Sequence, residues 1–118
     1  LNHIIPTAIR YQNTLIENVR GLKEILPGMY DEVGTVQLKA IREISEHITE
    51  IRTLVDEMTE ARKHANNTFA DTTARAAAYA ETVLPYLDRI RYRIDKLELL
   101  VDDEIWPLPK YRELLFFK

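Results

Sequence analysis

Apolar residues recur along this chain at intervals of three and four, the spacing that puts side chains on one face of a helix. Ile5, Ala8, Tyr11, Leu15, Val19, Leu22 and Leu26 form the first ladder. It predicts a helix over about 3–26, with Pro6 early enough for its missing N–H to be harmless. Pro27 and Gly28 stop it, and the stretch 27–34 (PGMYDEVG) reads as a reversing loop.

The second ladder is Leu38, Ile41, Ile44, Ile48, Ile51, Val55, Met58 and Ala65, with Arg62 as a polar rung. Glu43, Glu46, Glu50, Arg52, Asp56 and Glu60 lie between its rungs. That is a heptad-like seam with a charged outer face, predicting a long helix over about 35–65. Asn66, Asn67 and Thr68 favour a turn. Asp71 or Thr72 then caps a third helix over about 71–104. Its rungs are Ala76, Ala80, Val83, Leu87, Ile90, Ile94, Leu97 and Val101. Pro85 predicts a kink or short break near Leu84.

The tail, 105–118, holds Trp106, Pro107, Tyr111, Leu114, Leu115 and Phe116. The prolines end the third helix, and 111–117 has room for a further turn or two. Left in water, these side chains would form a large adhesive patch. The tail is therefore expected to dock as a latch, on the bundle or on a partner, with Trp106 and Phe116 as anchors. The expected fold is all-α: a single-domain, antiparallel three-helix bundle with long coiled-coil-like helices and a short C-terminal helical tail.

Composition narrows the choice of function. At 46% apolar and 30% charged residues, the chain has the make-up of a folded domain. A net charge of −3 gives no electrostatic reason to bind nucleic acid. The absence of cysteine excludes disulfides, zinc–thiolate sites and a thiol nucleophile, and fits a reducing, cytoplasmic setting. No apolar run is long enough to span a membrane. A chain that starts at Leu1 rather than Met is expected to be a fragment of a longer one.

No catalytic, cofactor-binding or metal site is expected from the residues and their spacing. A carboxylate-bridged metal bundle needs Glu-x-x-His pairs. His47 follows Glu43 and Glu46 at other spacings, and Glu43, His47 and Glu50 are assigned to the outer face. Ser45 and His47 are two apart on a helix and point in different directions. Arg89, Arg91, Arg93 and Lys96 alternate with Asp88, Asp95 and Glu98, as on a solvated, ion-paired face. The segment from Leu87 to Leu100 resembles the Arg- and Asp-bearing first helix of the all-helical chorismate mutases. The later helices that would complete such a site are missing here.

A different resemblance covers nearly the whole chain. Ile5-Pro6-Thr7-Ala8 and Arg10-Tyr11-Gln12-Asn13 open the first helix, and Val83-Leu84-Pro85 sits in the third. Asp95-Lys96-Leu97-Glu98 and Val101 lead into Trp106-Pro107, Pro109, Tyr111 and Leu114-Leu115-Phe116. In this order and spacing the chain resembles the C-terminal end of type III glutamine synthetases, the large bacterial form. The resemblance implies a parent enzyme that joins ammonia to glutamate with ATP and magnesium, assembled as stacked hexameric rings. Its active site would be built upstream, and none of its ligand-binding residues maps onto this chain. The expected role is a non-catalytic structural or oligomerisation domain, with the rest of the synthetase and its other copies as partners. A helical protein-interaction or regulatory module is the alternative, and a mutase-like enzyme the third reading.

Overall fold

The computed structural model describes residues 3–105, with side chains described through Val101. The fold is all-α, a helical bundle, and no strand occurs among the described residues. Helix α1 spans Ile4–Ile25, α2 Tyr30–Val33, α3 Thr35–Thr68, α4 Thr72–Ala78 and α5 Leu84–Ile105. A π-helical turn, Tyr79–Val83, joins α4 to α5.

Local chemistry sets these boundaries. The Thr7 hydroxyl donates to the His3 carbonyl at 2.7 Å, tying down the first turn of α1, where Pro6 displaces no helical bond. The stretch 27–34, expected as a loop, contains the one-turn helix α2. Glu32 and Val33 N–H both donate to the Met29 carbonyl, and Asp31 and Glu32 place negative charge at the helix start, where the dipole favours it. Gly34 then lets the chain turn into α3 in a crowded corner, and Leu38 N–H already donates to the Gly34 carbonyl. α3 runs to Thr68, three residues beyond the expected end. Asp71 caps α4 by accepting from Ala74 N–H at 3.2 Å. Arg75 Nε donates to the Phe69 carbonyl at 2.6 Å, satisfying the backbone of the turn.

Pro85 explains the π turn. It has no N–H for the Glu81 carbonyl, and its ring would crowd that oxygen in a regular α-helix. The helix widens instead, and Leu84 N–H reaches back to the Tyr79 carbonyl. Widening also rotates the face. Stepping back from buried Val83 at α spacing leads to Ala80 and Ala76, the expected rungs, yet both are exposed. Ala78, Tyr79 and Ala74 are half-buried in their place. Leu87 is likewise 49% exposed, and Tyr86 turns inward beside the buried Ile90.

The described residues form two compact units. The first takes residues 3–46 and 96–105: α1, α2, the start of α3 and the end of α5. Its core is Ala8, Leu15, Ala40, Ile44, Leu97 and Val101. The second takes His47–Asp95, a hairpin of α3 against α4, the π turn and α5, around Ile51, Leu54, Ala65, Val83 and Ile90. Along α3 the inward positions are Ala40, Ile44, His47, Ile51, Leu54, Met58, Ala61 and Ala65, buried or half-buried in alternating steps of four and three. This is a true heptad seam. Leu38, Ile41, Ile48 and Val55, read as rungs, flank it and are half-buried.

Candidate functional site

In the first unit, α1 and α3 are stitched by amides. Gln12 Nε2 donates to the Ile41 carbonyl at 2.8 Å and to Ser45 Oγ at 2.7 Å. Gln37 Nε2 donates to Asn18 Oδ1 at 2.9 Å. Ser45, the lone serine, thus has its hydroxyl occupied by a packing bond. An open groove of about 480 Å³ follows these two helices, lined by Tyr11, Thr14, Leu15, Val36 and Ala40 among others. Beyond it, around the turn that joins α1 to α3, Ile25, Met29, Val33 and Val36 are half to three-quarters exposed. None of these residues is among the sites expected from the sequence. The signal was present as large apolar residues off the 3–4 rungs.

In the second unit, a shallow cleft of about 280 Å³ is lined by Glu50, Leu54, Asp88, Arg89, Tyr92 and Arg93. The Arg89 guanidinium lies 5.6 Å from the Tyr86 ring centre, and that of Arg93 5.8 Å from the Tyr92 ring centre, within range of cation–π attraction. Arg93 also approaches His47 Nδ1 at 3.4 Å. Two guanidiniums thus face two carboxylates, Glu50 and Asp88. Such a cleft does not concentrate the positive charge a dicarboxylate would need, which counts against a mutase-like site.

Glu43, His47 and Glu50 are half-buried rather than on the outer face, because the seam of α3 passes through His47. Among the described residues no cluster of three His, Asp or Glu could hold a metal ion. Glu43 is within 3.8 Å of Lys39, and Arg52 within 3.4 Å of Asp56, as solvated pairs one helical turn apart. Such pairs stabilise a surface by a fraction of a kcal/mol to about 1 kcal/mol. No described helix is long and apolar enough to cross a membrane. The latch residues Trp106, Pro107, Tyr111, Leu114, Leu115 and Phe116 lie outside the described residues.

No family model matches the chain. Over 119 aligned residues it is 53% identical to a protein named glutamine synthetase from Bacteroides fragilis (strain YCH46), a match that takes in 100% of this chain. The chain is homologous to one segment of the glutamine synthetases. A second relative, named type-3 glutamine synthetase, from Dictyostelium discoideum, is 25% identical over 118 residues and 98% of this chain. In both cases the chain spans 16% of the relative's length. The match to the synthetases runs the length of the chain, through both units and the tail.

Proposed function

We propose that this chain is the C-terminal helical domain of a type III glutamine synthetase and that its task is structural. It would support subunit packing in a multi-subunit enzyme and take no direct part in the reaction. The parent would join ammonia to glutamate at the expense of ATP, with magnesium, at a site built by other segments of the polypeptide in the cytoplasm. Its partners would be the remainder of the synthetase and further copies of it. The observation that carries this reading is the 53% identity, sustained across the whole chain, to a synthetase of which it spans 16%. The polar groups of the first unit support it, since Gln12, Ser45, Gln37 and Asn18 are engaged in bonds between helices.

The test is to truncate the parent synthetase after Glu104 and follow its assembly by sedimentation together with glutamine formation. A structural role predicts smaller assemblies, with activity falling alongside assembly. Unchanged assembly and unchanged activity would overturn it.

A further inference from the structure

The inward face of α3 is apolar except at one rung. His47 stands there, half-buried, between Ile44 at 0% and Ile51 at 1% exposure. Across the hairpin, on α5, is the half-buried Arg93, whose Nη1 lies 3.4 Å from His47 Nδ1. A guanidinium has only donors and keeps its charge at any ordinary pH. Nδ1 must therefore offer its lone pair, which leaves the ring proton on Nε2. The contact is a hydrogen bond only while the imidazole is neutral. A polar pair inside an apolar seam costs desolvation, and its attested use is to fix register.

The other charges around this rung are already spoken for or lie further along the hairpin. On α3, Glu43 and Glu50 are about one turn to either side of His47, and Glu46 precedes it. Glu43 is within 3.8 Å of Lys39. Glu50 lines the cleft in which Asp88, Arg89 and Arg93 stand. On α5, Lys96 follows Arg93 by three residues. Arg75 of α4 and Glu81 of the π turn belong to the Ala65 end of the hairpin. The charge at hydrogen-bond distance from the ring is the guanidinium.

We propose that His47 and Arg93 form a proton-sensitive pin in the hairpin of the second unit. With the imidazole neutral, Arg93 donates to Nδ1 and holds α5 in register on α3. Protonation removes the acceptor and sets two cations side by side. The unfolded chain, in which His47 has no such neighbour, takes up the proton more readily. The hairpin therefore loses stability as pH falls through the imidazole range, about pH 8 to 5. The bonds between helices in the first unit, from Gln12 and from Gln37, involve no titrating group. The pin goes beyond the synthetase reading and does not depend on it.

The other two histidines, His3 and His64, are exposed, so an imidazole effect on the seam is that of His47. Hydrogen exchange on the 118-residue chain tests the pin. Protection factors of the amides in 47–54 and 87–93 should fall between about pH 8 and 5, by up to about tenfold per pH unit, the limit for uptake of one proton. His47→Gln offers Arg93 an acceptor that does not titrate and should abolish the fall. Should that variant lose its fold, Arg93→Gln removes the cation, spares the imidazole and should abolish it too. Both variants keep every carboxylate, so any contribution of those groups is common to all three proteins. A fall that persists in either variant would overturn the proposal, as would constant protection in the unaltered chain. Protection that rises as pH falls would also overturn it, since the seam would then hold the imidazolium.

Discussion

Gln12 spends both of its side-chain N–H groups on one turn of α3, donating to the Ile41 carbonyl at 2.8 Å and to the Ser45 hydroxyl at 2.7 Å. Residues 41 and 45 lie one above the other on a helix, so a single planar amide reaches both. This fixes α1 against α3 more specifically than sliding apolar contacts can. Gln12→Leu removes both bonds. The Ser45 hydroxyl lies where water can reach it, so the loss should be about 1 kcal/mol. Urea titration should show it, and Ser45→Ala alone should cost less. In the double variant the two effects should fall short of additive, because each removes the same bond.

Two glycines should respond in opposite directions. A Cβ at Gly34 would meet the Tyr30 carbonyl oxygen at 2.8 Å and Leu22 Cδ1 at 3.2 Å. The nearer obstacle is backbone and cannot swing aside. Gly34→Ala should therefore destabilise by roughly 1–3 kcal/mol, as overpacking generally does. Gly21 lies inside α1 with nothing within 4 Å of a built Cβ. Gly21→Ala should stabilise by about 0.5–1 kcal/mol by lowering the entropy of the unfolded chain. Thermal melts of both variants check the pair of signs.

The all-α class was legible because apolar spacing reports helix directly. The inward face was legible only in part. On α3, Ile41, Ile48 and Val55 make as good a ladder as Ala40, His47 and Leu54, and spacing alone prefers the bulkier aliphatic residues. Packing chose the other set, with Ala40 giving close approach and Ile41 and Ile48 flanking. On the third helical stretch Pro85 marked a break, but its consequence was a widened turn, and ahead of the buried Val83 the inward places of Ala76 and Ala80 went to Ala74, Ala78 and Tyr79. The exposure of Ile25, Met29, Val33 and Val36 was hidden for a related reason. A rung model records which residues belong inside and is silent about apolar residues left over.

The burial pattern separates the true rungs from the apparent ones. Ile51 is 1% exposed and Leu87 49%. Ile51→Ala should cost about 2–5 kcal/mol, the sum of lost transfer energy and a residual cavity. Leu87→Ala should stay within roughly 0.5 kcal/mol of the unaltered chain, as surface changes do. Parallel denaturant titrations distinguish the two. Equal losses would mean that Leu87 packs against something in solution.

Pro85 offers the sharpest test of how the π turn arises. Its side chain is exposed, so Pro85→Ala changes the backbone and little else. The new N–H can bond to the Glu81 carbonyl, and the crowding that widened the helix disappears. The turn Tyr79–Val83 should then tighten to α spacing, and the amide of residue 85 should exchange slowly with deuterium. Tightening would rotate Ala80 inward and carry half-buried Ala78 and Tyr79 away from their present contacts. The gain in stability should therefore fall well below the ~3 kcal/mol that proline costs inside an unstrained helix. Hydrogen exchange resolved at residues 79–85, with a thermal melt, measures both quantities. Rapid exchange at residue 85 with unchanged protection around Tyr79 would show that the packing of Val83, and not the proline, holds the turn open.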